Sequence, residues 1–471
     1  MTQSIFAADA LLPTGWARNV LIEWDNAGHI TGVRAIGDVP APAGVTRAIG
    51  PLLPGMPNLH SHAFQRGFAG LTEFRGPGNG AQDSFWSWRE LMYRFALRLD
   101  PAQMEAIATW LYAEMLEAGY TGVCEFQYVH HAPDGMPYAD DAAMSHALLA
   151  AARNTGIGLT LLPVLYQTSG FGALPPTEGQ RRFIRSTESM LRLLDTLHPV
   201  CVAQGARLGL APHSLRAVPP DALREALAGL DAIDNTAPIH IHIAEQTREV
   251  DDCIAWSGQR PVAWLLDHAP VNARWCLVHA THMSPGEYLR AGKSGAVAGL
   301  CPTTEANLGD GLFDFSAWRA AGGVWGIGSD SHATVNAAEE LMLLEYGQRL
   351  LTRRRNVAPA TRDDAHPQTA TELTLGAVQG GAQASGRETR GIAPGQQADF
   401  VVLDANHCAL AGLEAPDMLS AHIFASHRTS AIDSVWVNGR PRVQGGRHAL
   451  HNEAKAAFVA ARSQLLASPN P

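Results

Sequence analysis

The residues able to do chemistry in this sequence gather in short motifs at the ends of apolar runs. His60 and His62 close the stretch Pro54-Gly55-Met56-Pro57-Asn58-Leu59-His60-Ser61-His62. Residues two apart in an extended segment point to the same face, so both imidazoles can reach one metal ion. Histidine pairs are common on surfaces; this one gains weight from its place after an apolar run punctuated by proline and glycine. A second pair stands in His240-Ile241-His242-Ile243-Ala244-Glu245. His242 lies nearer the end of its run and is the candidate ligand, with His240 expected one layer below as a core residue. Glu245 then sits beside the metal as a proton shuttle, unless it is simply the acidic start of a helix. Asp330, in Gly326-Ile327-Gly328-Ser329-Asp330-Ser331-His332, would ordinarily read as a loop or N-cap aspartate. In the company of three histidines it fits a fourth ligand that also takes a proton from an attacking water. His279, in Cys276-Leu277-Val278-His279-Ala280, is a candidate for steadying an oxyanion or a leaving group, and Ala211-Pro212-His213-Ser214-Leu215-Arg216 adds His213 and Arg216. A His/His/His/Asp set suits one divalent ion, zinc foremost, which lowers the pKa of its water to about 7. With no cysteine among these candidates, an open catalytic site is favoured over a closed structural one.

Such groups need strands to carry them. Short apolar segments at 52–60, 123–128, 158–165, 207–212, 238–243, 275–279, 295–300 and 324–329 alternate with stretches of helical periodicity. Strand–helix units repeated in this way predict a parallel sheet closed into a (β/α)8 TIM-type barrel, with its reactive groups at the C-terminal strand ends. The motifs above fall at the ends of strands one, four, five, six and eight. An open doubly wound sheet is the rival, but no glycine-rich phosphate fingerprint follows the first strand. One helix is well punctuated: Asp100 can cap it, Pro101 suits its first turn, Met104, Ile107, Leu111 and Met115 form an apolar stripe, and Gly119 ends it. The chain ends have another texture. Runs at 19–24 and 30–35, and again at 398–404 and 434–437 with Asn438-Gly439 as a hairpin signal, are β-rich. Residues 1–50 and 390–450 are therefore expected to form one small split β-sandwich domain, 51–389 the metal-dependent barrel, and 451–471 a surface helix and tail. The stretches 76–82 and 353–368 read as loops.

With its motifs so placed, the chain resembles the amidohydrolase superfamily in its mononuclear-metal branch. That family carries His-x-His after strand one, His after strand five and Asp after strand eight, matched by His60, His62, His242 and Asp330. Its strand-five His-x-x-Glu is matched by His242 and Glu245, its strand-six His by His279, and the phrase Gly391-Ile392-Ala393-Pro394-Gly395-Gln396-Gln397-Ala398-Asp399 is also familiar from it. No strand-four Lys of the kind that bridges two metals is present. Within the family the resemblance runs to the formimidoylglutamate deiminases, over nearly the whole chain. It is carried by Phe64-Gln65-Arg66, by Trp86-Ser87-Trp88-Arg89-Glu90-Leu91-Met92-Tyr93, by Glu125-Phe126-Gln127-Tyr128-Val129-His130-His131, and by Cys301-Pro302-Thr303-Thr304-Glu305-Ala306-Asn307-Leu308-Gly309-Asp310-Gly311. Where deaminases of the superfamily usually keep Ser-Asn after the strand-seven Cys-Pro, this chain has Thr304-Glu305-Ala306-Asn307. The resemblance implies hydrolysis of N-formimino-L-glutamate to N-formyl-L-glutamate and ammonia, in histidine degradation. It further implies that Gln65, Arg89, Tyr128, His213 and Arg216 line the substrate site. A dicarboxylate asks for guanidinium forks and hydroxyl donors, which Arg89, Arg216 and Tyr128 can supply.

Composition bounds these readings. The 471 residues include 35 Lys+Arg and 45 Asp+Glu, a formal net charge of −10, and no basic excess of the kind nucleic-acid binding requires. A hydrophobic share of 46% with only 17% charged residues supports a large core and excludes extended disorder. The six cysteines show no Cys-x-x-Cys pairing, and each is expected to be a small buried apolar residue in a reducing compartment. Lacking a convincing leader and a membrane-spanning run, the protein is expected to be cytoplasmic, in contact with neither membrane nor nucleic acid, and a homodimer. The rival readings are a deaminase acting on a purine, pyrimidine or triazine ring, and a scaffold of the same fold that has lost catalysis. Paired arginines count against the first, and the intact ligand set against the second.

Overall fold

The computed structural model describes residues 3–73, 85–359, 367–426 and 429–467. The loop expected at 76–82 and part of that at 353–368 lie outside the described residues. Eight parallel strand positions form the barrel: Met56–Ser61, Tyr120–Gln127, Gly158–Leu165, the broken strand Arg207–Leu208 and Ala211–Pro212, Ile239–Ile243, Trp275–His279, Val297–Leu300 and Val324–Ile327. Strands one to four make one ladder and strands five to eight another. Two short bridges close the ring. Leu210 N–H donates to the Pro238 carbonyl at 3.1 Å and His240 N–H to the Leu210 carbonyl at 3.1 Å, joining strands four and five. Asp330 N–H donates to the His60 carbonyl at 3.0 Å and His62 N–H to the Asp330 carbonyl at 3.3 Å, joining the ends of strands eight and one. The second bridge ties two candidate ligand segments together through their own backbone.

The first barrel strand is shorter than the sequence reading, which ran it over 52–60. Leu52–Pro54 belongs to the terminal sheet, where Leu53 pairs with Val401, and only Met56–Ser61 enters the barrel. Gly55 is the pivot: a Cβ there would lie 2.3 Å from Thr121 Oγ1, so no side chain fits where the chain crosses between sheets. The expected helix is present as Pro101–Glu117. Asp100 accepts from Gln103 N–H at 2.7 Å while the Gln103 side chain accepts from Asp100 N–H at 3.1 Å, and Met104, Ile107, Leu111 and Met115 are buried.

Both chain ends enter one nine-stranded sheet that includes Gln3–Leu12, Gly15–Trp24, Ile30–Ala35, Phe400–Leu403, Ile432–Val437 and Arg440–Gln444. It holds its own apolar cluster, Ile5, Val20, Ile22, Trp24, Phe400 and Val402 among others, separate from the barrel core. Gln3–Leu12 is a strand beyond those expected at the N-terminal end. Asn438 and Gly439, both left-handed at φ 50° and 68°, make the expected hairpin turn. The C-terminal helix His451–Ala467 packs on Pro101–Glu117 through Phe458, Ala461 and Leu465, with Phe458 stacked on Trp110 at 6.1 Å. Five cysteines are buried as expected. Cys408 is exposed in the turn after Phe400–Leu403, where Leu410, two residues on, is the side chain that enters the core. Among the described residues no helix is long and apolar enough to cross a membrane.

Candidate metal centre and catalytic pocket

The barrel strands end abruptly where chemistry is expected. Ala244, His279, Ala280, Asp330 and His332 all adopt the left-handed region, at φ 51°, 65°, 49°, 45° and 58°. Non-glycine residues there cost on the order of 1 kcal/mol each and persist only where the surroundings hold them. The holding bonds are visible. Ala280 N–H donates to the Ile243 carbonyl at 3.0 Å, His282 N–H to the Ala244 carbonyl at 3.0 Å, and Glu249 accepts from the N–H groups of Ala244 and Glu245 at 3.2 and 3.0 Å. These breaks in the pleat set Glu245, His279 and Asp330 around one space.

His60, His62, His242 and Asp330 converge with one donor atom each within 4.8 Å of the others. His60 Nε2 lies 3.0 Å from His242 Nε2 and 3.4 Å from Asp330 Oδ1, which is 3.3 Å from His62 Nε2. The Nδ1 atoms of His62 and His242 face the carbonyls of Phe126 and His213 at 3.0 and 3.1 Å. A carbonyl only accepts, so each ring carries its proton on Nδ1 and turns a bare Nε2 inward. Burial drives His60 down to about 3 and His62 and His242 below the ordinary histidine range, which keeps all three neutral. Burial alone would raise Asp330, but His60, His279 and His62 outweigh it and hold the carboxyl well below the usual carboxylate range. Three of the donor separations, at 3.0 to 3.4 Å, match the roughly 3.3 Å edge of a tetrahedron with 2.0–2.1 Å ligand bonds, and all four donors lie within 4.8 Å of one another, so the residues fit a divalent ion such as zinc.

A hydrogen-bonded chain supports the His60-Ser61-His62 segment. Asn58 Nδ2 donates to Ser329 Oγ at 2.6 Å, His332 bridges Ser329 Oγ and Ser61 Oγ at 3.0 and 3.1 Å, and Ser61 Oγ donates to Glu125 at 2.6 Å. Glu125 also accepts from Ala63 N–H at 2.6 Å and Tyr112 OH at 3.1 Å. Burial pushes its carboxyl up to about 7 against these three donors. His240 is the core residue expected: it is fully buried, and its Nε2 donates to the Ala384 carbonyl at 2.8 Å.

Further titratable groups adjoin the candidate ligands. His279 Nε2 lies 3.7 Å from Glu245 Oε1 and 3.7 Å from Asp330 Oδ2, and its Nδ1 lies 3.3 Å from Glu305 Oε1. Burial opposes its charge, but Glu245, Glu305 and Asp330 prevail and raise it to about 10, so it is an imidazolium at neutral pH. Burial, with Asp330 and Glu249 nearby, lifts Glu245 to about 7 in spite of His279. Asp310, bonded by Gln246 Nε2, is raised to about 9 by burial and by Glu245. Glu249, Glu305 and Asp310 carried no assigned role in the sequence reading. A carboxylate outside a strand-end motif looks like any surface acid, and the one signal was Glu305 standing where related deaminases differ.

One cavity of about 530 Å³ opens onto His62, His242, Glu245, His279 and Asp330, and Gln65, Arg89, Tyr128, His213 and Arg216 all line it. His60 lies beneath, fully buried. Gln65 Nε2 donates to Tyr128 OH at 3.0 Å, while Gln65 Oε1 is buried with no partner among the described residues. His213 is kept neutral by burial and by the Arg216 charge. Burial and Arg216 lower Arg89, whose guanidinium lies 5.6 Å from the Tyr93 ring. Burial would lower Arg216 as well, but Tyr166 and Glu249 outweigh it and raise it. Trp88, Met92, Tyr93, Tyr166, Phe183 and Leu308 complete the wall; Trp88, Met92, Tyr93 and Leu308 fall within the motifs that carry the family resemblance, whereas Tyr166 and Phe183 gave no signal in the sequence.

The model of the Amidohydrolase family matches residues 52–442. The chain is 51% identical over 463 residues to formimidoylglutamate deiminase of Pseudomonas aeruginosa, covering 98% of this chain and 99% of that one. It superposes on the crystal structure of an amidohydrolase from Brucella melitensis with a TM-score of 0.91 at 50% identity, covering 99% and 100% of the two chains. An adenosine deaminase from Xanthomonas campestris with bound zinc shares the fold, with a TM-score of 0.78 at 21% identity and 99% of both chains covered.

Proposed function

The chain belongs to the amidohydrolase family, and from that premise we propose that it hydrolyses N-formimino-L-glutamate to N-formyl-L-glutamate and ammonia. The observation that carries this reading is the pair Arg89 and Arg216 lining the same cavity as the His/His/His/Asp cluster, in a chain so like a formimidoylglutamate deiminase. Guanidinium forks match carboxylates, and the substrate carries two of them beside a formimino group.

A divalent ion held by His60, His62, His242 and Asp330 would supply an acidified water at neutral pH and polarise the carbon–nitrogen bond. The chain's own groups do the rest. Asp330, ionised, takes a proton as the water oxygen attacks the formimino carbon. His279, charged, steadies the oxygen of the tetrahedral adduct. Glu245, poised near neutrality, passes a proton to the departing nitrogen. The adduct collapses to the formyl group as ammonia leaves with the protons that the water gave up. Gln65 Oε1 offers an acceptor for a formimino N–H, and Tyr128, His213 and the arginines orient the dicarboxylate. Zinc as the ion, a cytoplasmic homodimer and a place in histidine degradation belong to the same proposal. Ammonia release measured on N-formimino-L-glutamate beside guanine and cytosine tests it. Release from formiminoglutamate alone is expected; release from a ring substrate alone would overturn the reading.

A further inference from the structure

At the N-terminal end of the barrel, away from the ligand cluster, lies a cavity of about 650 Å³ lined by Arg153, Arg387, Arg440 and Arg442 and by no aspartate or glutamate. Its walls come from both halves of the molecule. Arg153 lies on the barrel helix Ala143–Thr155, Arg387 follows the last barrel helix, Thr369–Ser385, and Arg440 and Arg442 lie on a strand of the terminal sheet, Arg440–Gln444. In a chain of net charge −10, such a concentration of one sign is a local exception. Arg387 is only 6% exposed. Its Nη2 donates to Gln397 Oε1 at 2.7 Å, but its Nε is buried with no partner among the described residues, and so is the Nε of Arg442. Asp399 is the carboxylate whose charge reaches both guanidinium groups, and one of its oxygens already accepts from Asn438 N–H at 2.7 Å. Glycines make room for the cations. A Cβ on Gly156 would lie 2.2 Å from Arg442 Cζ, and one on Gly158 2.4 Å from Arg387 Nη2.

Buried Nε donors without acceptors, and clustered guanidinium groups that outnumber the nearby carboxylate Asp399, both favour a multivalent oxyanion. We propose that this cavity binds a phosphate group, as inorganic phosphate or as a phosphate monoester, which bridges the barrel arginines to those of the terminal sheet and clamps the two together. A carboxylate ligand would leave most of the guanidinium donors unmatched, whereas a phosphate offers three or four oxygens.

Calorimetric titration of the metal-loaded enzyme with inorganic phosphate and, separately, with AMP at constant ionic strength tests this. The expected result is one saturable site per chain, weakened by about tenfold or more in the R440Q/R442Q double variant and in R153Q, with ammonia release unchanged in both. Tighter binding of AMP assigns the monoester, and tighter binding of phosphate the free anion. Absence of saturable binding of either, or binding undiminished in both variants, as for phosphate held at the metal centre, would overturn the proposal.

Discussion

Glu245 and His279 stand 3.7 Å apart, and burial with neighbouring charge shifts both towards the tasks proposed for them. His279 is held protonated near a pKa of about 10, fit to stabilise a developing oxyanion, whereas Glu245 at about 7 can both hold and release a proton. Replacing Glu245 by Gln keeps the shape and abolishes the transfer. The expected result is a kcat lower by roughly 10²–10⁴-fold, with metal content by atomic absorption unchanged; normal turnover would refute the assignment. Glu125 acts one step away. It accepts from Ser61 Oγ and Ala63 N–H on either side of His62, so Glu125→Gln removes one acceptor and turns an N–H group toward a donor. Metal affinity, measured by competition with a chelator, is expected to fall about 10–100-fold, while the fold by circular dichroism is unchanged.

The strands deliver these side chains, and they were legible because their apolar runs stop sharply at His60, Glu245, His279 and Asp330. Less legible was what closure alone brings together. Glu305 and Asp310 follow strand seven, yet they meet His279 and Glu245 from neighbouring strands, a proximity no local pattern encodes. Strand one was read too long because Leu52–Pro54 and Met56–Ser61 form a single apolar run; the close approach of Gly55 to Thr121 that divides them is a tertiary fact. Cys408 differs from expectation for a related reason: residue type gives a burial tendency, but in the turn that holds it Leu410 takes the buried place. The C-terminal helix was read as a surface helix, and its buried face could not be assigned before its partner was known. Phe458 stacks on Trp110 and is nearly enclosed, so Phe458→Ala is expected to cost about 3 kcal/mol of stability. Urea unfolding at constant m-value would measure it, and a change below about 1 kcal/mol would mean that the helix packs too loosely to matter.

At the scale of the whole molecule, the abundance of histidine makes stability a function of pH. His240 has its pKa lowered to about 4 by burial, which the hydrogen bond to Ala384 only partly offsets. Its folded value lies below the unfolded 6.5, so the unfolded chain binds the proton more readily. Its contribution is complete above pH 6.5 and is lost as pH falls from 6.5 towards 4. Buried acids with raised values, such as Glu340, titrate in the opposing sense, so the test is a difference. Between pH 7.5 and 5 the native sequence is expected to lose about 2 kcal/mol more than His240→Gln, in which all the other groups cancel. Equal losses would show that His240 does not carry the effect. The barrel's two ends also differ in charge: carboxylates, imidazoles and two arginines share the cavity at the ligand cluster, while the cavity at the opposite face is lined by arginines and no carboxylate.

The central claim is metal-dependent deimination of formiminoglutamate. Its most direct test is ammonia release from N-formimino-L-glutamate by chelator-stripped protein as zinc is added back. The account predicts no release from the stripped chain and a linear rise that levels at about one ion per chain, as a mononuclear three-histidine, one-aspartate site requires. Ammonia release by the stripped chain, or none at any zinc occupancy, would contradict it.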